Sequence, residues 1–302
     1  YVKVVLTGEG ADEILGGYIH QYVLNYANSY NKIFPNFIKN FNKNIVKILP
    51  ETFLNKIFNY PAKLGSKGKE KLINFLSNLD DPVSAYLSLA GLFLNNKENL
   101  YTRDFFGSLS VDAGNAGSDL APYLSNKGGI NSFLDRIIDT DINNWLCDYT
   151  LLKQDRLTMA NSVEGRTPFL DHRLVEFTAK LPDDLKLNLF KDKVILRKSA
   201  SGFLPKKAAF RKKKAFYIPT EICFKDGFKD FVRGTLNREA INKRGIFKYE
   251  FIELLFRSLD NPQLVDNKAL MAVLILELWF QEFWDKKSNI NQEVNYATRT
   301  DL

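Results

Sequence analysis

The apolar run VKVVL at residues 2–6 is followed at once by TGEGADEILGGY at residues 7–18. This order constrains the fold more than any other stretch of the chain. A short apolar run closed by a glycine-bearing turn predicts a buried strand. A helix is expected beyond the turn, with Ile14, Leu15, Tyr18, Ile19, Tyr22, Val23 and Tyr26 on one face at spacings of three and four. Gly16 and Gly17 fall inside that helix, where each costs about 1 kcal/mol against Ala. Such a pair implies a close backbone approach or a local kink. Strand, glycine turn and helix N-terminus make an anion site, because free N–H groups point outward and the helix dipole favours negative charge. Gly8 and Gly10 let the backbone approach a phosphate closely. Glu9, Asp12 and Glu13 oppose an anion at the same place. Two readings stay open from the residues alone. A divalent cation bridges carboxylate and phosphate, or the acids stand in the first helical turn because the dipole favours them there.

Size and composition bound the rest. The chain has 302 residues, 45% of them hydrophobic, enough for one large domain or two small ones with a core. Charged residues at 25% place it among ordinary globular proteins. The net charge of +7 suits polyphosphate or nucleic acid, and equally serves solubility. Cys147 and Cys223 are the two cysteines and form no C-x-x-C pair, which argues against a disulfide framework or a zinc site and fits a reducing cytoplasm. ALMAVLILELWF at 269–280 is too short to span a membrane and is interrupted by Glu277, so it predicts a core helix apolar nearly all round. No leader is expected, and the chain, which opens on a strand without a Met, is expected to be the C-terminal part of a longer protein.

From residue 30 to 100 the pattern is helical, with breaks at Pro35, Pro50, Pro61 and Pro82, and a polar loop at GSKGKEK, residues 65–71. An extended surface loop is predicted over 107–130, then a helix over 131–162 with Trp145, Leu146, Tyr149, Leu152, Leu157 and Met159 as its apolar positions. A turn at Pro168 leads to a helix capped by Asp171. KDKVILRKSASGFLP predicts a basic helix ending before Gly202 and Pro205, followed by two or three helices to about residue 286 and a polar tail.

Two further stretches gather charge. In residues 155–174, Asp155, Arg156, Glu164, Arg166, Asp171 and Arg173 stand among Met159, Val163, Phe169 and Leu170. This predicts a partly buried ion-pair network forming a pocket wall, or a carboxylate orienting a catalytic group. In AFRKKKAFYIP, residues 209–219, four cations lie between Phe210 and Phe216. Such a run is a solvated face or a nucleic-acid contact. The flanking aromatics tie it to the core, and a lysine turned inward would stabilise charge on a transferring phosphoryl or adenylyl group.

TGEGADEILGGY, DRLTMANSVEGRTPFLD, KVILR and RKKKAF, in this order, are similar in spacing and content to the synthetase domain of the glutamine-dependent asparagine synthetases. The resemblance implies an α/β, pyrophosphatase-type ATP-binding domain (adenine nucleotide alpha hydrolase-like), present here as its mostly helical C-terminal part with few strands. Residues 1–286 would form that part and 287–302 a polar tail. It implies a carbon–nitrogen ligase that joins a carboxylate, most simply aspartate, to AMP with release of pyrophosphate, after which ammonia attacks the acyl-adenylate. ATP and Mg2+ are the implied cofactors. By the same resemblance Thr7 and Gly8 touch the nucleotide, with Gly10 in the same nucleotide-binding turn. Asp12 is a magnesium ligand on pyrophosphate. Glu9 lies near the acyl-adenylate as a base or positioner for the amine. Lys213 stabilises charge in adenylation and in the later tetrahedral intermediate. Arg211, Glu164 and Arg166 are structural or support the site residues from behind. The implied partners are the carboxylate and ammonia from a glutaminase domain, with a homodimer compatible and neither membrane nor nucleic acid expected.

Three departures stand out. Thr7 replaces the usual Ser but keeps the hydroxyl, and Gly165 replaces Ala or Val. The family's S-G-G-x-D-S pyrophosphate loop and N-terminal cysteine nucleophile do not occur in these residues, so the chain alone is expected to be inactive. Relatives that act on other carboxylates, such as β-lactam synthetases, macrolactam-forming enzymes and sugar-acid amidotransferases, share the domain. An RNA-binding module using RKKK and its aromatics, and a scaffold that has lost catalysis, are the readings from other classes.

Overall fold

A computed structural model describes residues 2–50, 65–93, 97–109, 117–125, 132–188, 191–211, 226–259 and 264–286. Strand β1, Val4–Leu6, pairs in parallel with β2, Glu164–Arg166, with Val5 opposite Gly165. The apolar run predicts burial, but Leu6 is 74% exposed and Val4 39%. Periodicity reports what a strand is suited to, whereas exposure depends on what packs over it. The helix Leu152–Met159 packs against β2, and the apolar side chains of β1 remain largely uncovered by the described residues. The other described strands are the short antiparallel pair Leu187–Asn188 and Lys191–Asp192. Elsewhere the described residues are mainly helical, as expected.

The chain divides into two compact units. One comprises residues 1–44, 74–90 and 115–215, the other 45–73, 91–114 and 216–302. In the first unit, helix α1, Ala11–Leu15, stops at Gly16, whose left-handed φ of 68° ends the helix, and α2, Ile19–Ile33, starts afresh. The two glycines therefore separate two helices rather than lying inside one. Left-handed backbone is cheap only for glycine, so a Gly-Gly pair ends a helix more readily than it bends one. The restart rotates the predicted face: Ile14 and Leu15 are buried, whereas Ile19 is exposed. Leu134, Ile138 and Leu187 form a core cluster against Tyr22, Tyr26 and Ile142.

The proline breaks at 35, 50 and 82 fall at helix ends, and Pro61 lies outside the described residues. GSKGKEK is not a loop but the start of the helix Gly65–Ser77. Tertiary bonds outweigh its weak propensity: Lys67 pairs with Asp266, and Lys71 donates to the Gly91 carbonyl at 2.7 Å. Within the predicted loop over 107–130, residues 117–125 are compact. Leu120 and Leu124 are buried around the turn of helix Ala121–Leu124.

The predicted helix over 131–162 runs from Phe133 to Met159 but is π-helical over Asp141–Leu151. Wider turns rotate positions counted at 3.6 residues per turn. Leu146 is buried, but Trp145, Tyr149, Leu152, Leu157 and Met159 are exposed. Asp171 caps the helix His172–Ala179 by accepting from the Arg173 N–H, and the basic helix forms as Val194–Ala200.

The second unit packs Leu100, Val232, Leu236, Ile241, Ile252, Leu255, Leu270, Val273 and Leu274 into its core. Helices Asp226–Thr235, Arg238–Arg244, Tyr249–Ser258 and Leu264–Trp279 supply most of these residues, more helices than predicted for this stretch. Leu264–Trp279 is not enclosed all round, since Ile275 is exposed. Its buried Glu277 is neutralised by Arg244, Nε to Oε2 2.9 Å. No helix among the described residues is long and apolar enough to cross a membrane.

Candidate functional site

The turn after β1 is fixed by two bonds from Thr7. Its N–H donates to the Arg166 carbonyl at 2.8 Å, extending the strand pairing, and Oγ1 donates to Gln154 Oε1 at 3.1 Å. A Cβ at Gly8 would meet no atom within 4 Å, so nothing in the described protein requires glycine there. Gly10 differs. It has a φ of 95°, and a Cβ would fall 2.4 Å from Leu170 Cδ2, so backbone conformation and packing both demand glycine.

Helix α1 has only five residues, too few for a large summed dipole, so specific partners carry more weight at its acidic first turn. Asp12 is half-buried and pairs with Lys193, Nζ to Oδ1 2.9 Å. The positive charge that the acidic turn demands is thus supplied, at Asp12, by the chain itself. Lys193 opens KVILR, but no sequence pattern pairs it with a residue 181 positions earlier. Its backbone is left-handed, φ 50° and ψ 45°, a conformation that costs a non-glycine residue of order 1–2 kcal/mol. Gly17 explains the second glycine of the pair: a Cβ there would fall 1.9 Å from Asp12 Oδ1. Gly17→Ala is therefore expected to displace the Asp12 carboxylate and, if Asp12 is the magnesium ligand that the resemblance implies, to weaken divalent-ion binding by the full-length protein. Calorimetric titration with Mn2+ checks this, and unchanged affinity would show that the metal does not depend on the Asp12 carboxylate at this position.

Glu13 is buried and accepts from the Tyr18 hydroxyl at 2.6 Å. Burial pushes its carboxyl above the usual range; the Tyr18 bond opposes this, while Asp12 and Glu9 add to it. A carboxyl raised on folding binds more protons folded than unfolded, so stability falls as pH rises from the unfolded value through the folded one. Glu13→Gln should remove this slope. The variant's stability relative to wild type should increase from pH 4 to 7 in urea titrations, and a parallel pH dependence would refute it.

Glu9 is half-buried and makes no hydrogen bond or ion pair with the described residues. Lys213 lies in residues 212–225, outside them. Just before it, Arg197 of KVILR holds the backbone, its guanidinium donating to the Ala209 and Arg211 carbonyls at 3.1 and 2.8 Å and to Asp192 Oδ1 at 2.6 Å.

The partly buried ion-pair network predicted over 155–174 forms as separate local arginine–carboxylate pairs at the surface, with Asp171 half-buried. Arg166 pairs with Glu164 at 2.8 Å and Arg173 with Asp171 at 2.8 Å, all on or near the surface, and Asp155 and Arg156 are exposed. Hydrogen bonds from Arg173 hold the Asp171 carboxyl well below the usual range. Apolar Val163, Phe169 and Leu170 are half-buried, and most of the charge lies on the wet face because an exposed pair avoids desolvation.

A polar network that the sequence did not reveal lies behind the turn. Asp141, fully buried at the start of the π-helical segment, accepts from His20 Nε2 (2.8 Å), Gln21 Nε2 (2.7 Å) and the Tyr86 hydroxyl (2.6 Å). The Tyr18 and His20 rings stack at 5.4 Å, and Tyr18 leads back to Glu13. A lone Asp in a helix with distant partners carries no local signal.

Among the described residues no group of three His, Cys, Asp or Glu side chains is placed to hold a metal ion. Asp12 offers an oxygen ligand whose carboxylate already attracts one cation. A lone carboxylate suits magnesium, which is usually bound through one or two carboxylates together with nucleotide phosphates.

The family model "Asparagine synthase" matches residues 1–281. The chain belongs to the asparagine synthase family. It is 28% identical over 282 residues to the glutamine-hydrolyzing asparagine synthetase 1 of Bacillus subtilis, covering 92% of this chain and 40% of that protein. It is 29% identical to a putative glutamine-hydrolyzing asparagine synthetase of Mycobacterium tuberculosis, covering 72% of this chain and 30% of that protein, and 26% identical to the amidase chyE of Penicillium rubens, covering 72% and 32%. The chain therefore spans well under half the length of these relatives. No solved structure matches it. All four motif stretches of the asparagine synthase resemblance fall inside the matched residues.

Proposed function

We propose that this chain is the C-terminal part of the synthetase domain of an ATP-dependent amide-forming enzyme, with residues 1–286 as that part and a pyrophosphatase-type nucleotide fold. The observation that carries this reading is the turn from Thr7 to Asp12, where a hydroxyl, an uncrowded glycine and an ionised carboxylate paired with Lys193 follow one short strand. In the reaction a carboxylate oxygen attacks the α-phosphorus of ATP and pyrophosphate leaves. Ammonia then attacks the acyl carbon, loses a proton, and AMP leaves. Thr7, Gly8 and Gly10 form the nucleotide-binding turn. Asp12 would hold Mg2+, which when bound neutralises charge on pyrophosphate. Lys193, paired with Asp12 at 2.9 Å, exchanges its carboxylate partner for a phosphate oxygen when the nucleotide binds. Glu9, which has no hydrogen-bond or ion-pair partner among the described residues, takes the proton of the attacking amine or positions it. Lys213 stabilises the charge developing in both steps, and Arg197 fastens the backbone that leads to it.

Aspartate as acceptor, ammonia drawn from a glutaminase domain and a cytoplasmic location complete the reading. A second reading is a relative that acts on a different carboxylate; the match to a protein named an amidase rather than an asparagine synthetase, chyE, keeps it in play. Pyrophosphate release by the full-length protein, tested against aspartate and a panel of other acids, separates the two. Release with aspartate supports the first, release with another acid alone supports the second, and no release with any acid defeats both. Asp12→Asn is expected to raise the magnesium concentration needed for half-maximal release, and an unchanged requirement removes Asp12 as a ligand.

A further inference from the structure

We propose that Gln154 is a positioning residue for the nucleotide, acting through the Thr7 hydroxyl. This rests on the reading of Thr7 as a nucleotide contact. Gln154 stands on the helix Leu152–Met159, which packs against β2. Its Oε1 accepts from Thr7 Oγ1 at 3.1 Å, while the Thr7 N–H is held by the Arg166 carbonyl at 2.8 Å. Both the backbone and the rotor of Thr7 are therefore set. The approach depends on Gly165, the middle residue of β2. A Cβ there would fall 3.0 Å from Gln154 Nε2 and 3.4 Å from Thr158 Cγ2 and Oγ1. Thr158 Oγ1 is in turn committed to the Gln154 carbonyl at 2.9 Å. The strand gives up a side chain where the glutamine reaches across to the turn.

The direction of the Thr7 bond has a chemical consequence. A hydroxyl has one proton and two lone pairs. With its proton committed to Gln154, Thr7 offers lone pairs to a ligand at the turn. It then suits a donor on the nucleoside part, the adenine amino group or a ribose hydroxyl, rather than an ionised phosphate oxygen, which itself only accepts. Gln154 thus assigns Thr7 to the nucleoside and leaves pyrophosphate to the charged residues.

The test uses the full-length protein with AMP and inorganic pyrophosphate as separate calorimetric probes, and a cycle of Thr7→Val, Gln154→Met and the double variant. Gln154→Met should weaken AMP binding about fivefold, the size of one neutral hydrogen bond, and leave pyrophosphate binding unchanged. KM for ATP should rise with kcat within about twofold, because binding rather than the transition state is affected. The double variant should bind AMP no more weakly than Thr7→Val alone, since both remove one interaction. Unchanged AMP binding by Gln154→Met, losses that multiply in the double variant, or an equal loss for pyrophosphate would each overturn the proposal. If Gln154→Met lowers the melting temperature, Gln154→Glu replaces it. That variant keeps the accepting oxygen but adds a negative charge, so it is read with uncharged adenosine, which it should bind as wild type does, whereas a loss would overturn the proposal. A wild-type protein that binds neither probe defeats the nucleotide reading and this inference with it; wild-type AMP binding that survives Gln154→Met defeats this inference alone.

Discussion

Asp141→Ala is expected to destabilise the full protein by about 3–5 kcal/mol, the usual cost of removing one partner from a buried charged cluster. Asp141 has no exposed surface and collects three donors from two other helices, His20 and Gln21 on α2 and Tyr86 on the helix Pro82–Ala90. Alanine leaves Gln21, itself fully buried, and the Tyr86 hydroxyl without their acceptor, and each orphaned group costs about 1–3 kcal/mol. Burial and the Asp141 carboxylate push the Tyr86 phenol well above its ordinary range, so it stays a donor throughout the accessible pH range. Against a total stability of roughly 5–15 kcal/mol such a loss is large. Urea unfolding with a common slope for variant and wild type measures it. A loss below about 1 kcal/mol would mean that water replaces the carboxylate and that the cluster does not hold the helices together.

Lys213→Ala in the full-length enzyme is expected to lower the rate of adenylation by about 10²–10³ while leaving the fold intact, since one preorganised charge aimed at a developing negative charge is commonly worth that much. The expectation rests on the match of RKKKAF to the family pattern and on Arg197, which ties the chain two residues before Lys213 to the Asp192 carboxylate. Single-turnover pyrophosphate release measures the rate, and circular dichroism monitors the fold. A rate within about threefold of wild type would remove Lys213 from the mechanism, because a preorganised transition-state charge contact typically contributes about 10²–10³. The two variants should separate cleanly, Asp141 acting on stability and Lys213 on chemistry.

The acidic turn shows how far local pattern carries. VKVVL-TGEGADE gave strand, turn and helix correctly, because hydrophobic period, glycine and first-turn acids are all local signals. Helix α1 ends sooner than the periodicity predicts, since Gly-Gly spacing alone does not distinguish a kinked helix from one that ends in a left-handed cap. The three carboxylates were legible as a problem of charge. Their answers were not: Asp12 meets Lys193, and Glu13 meets Tyr18 after burial has raised its carboxyl. The charge-dense stretch over 155–174 predicts a partly buried network or a carboxylate orienting a catalytic group, because the sequence lacks the one fact that decides how much of it is buried, which face of β2 is wet.

By itself, the sequence determined the family, through four ordered stretches of residue types whose chemistry is local, and a mainly helical chain, through periods that depend only on backbone geometry. Tertiary structure decided which charges are buried, where the π-helical turns rotate Trp145 and Leu152 outward, and which side chains from distant positions meet at Thr7, Asp12 and Asp141. Those outcomes depend on contacts across more than a hundred residues of chain. Burial and pairing energies there are set by partners that no window along the sequence contains.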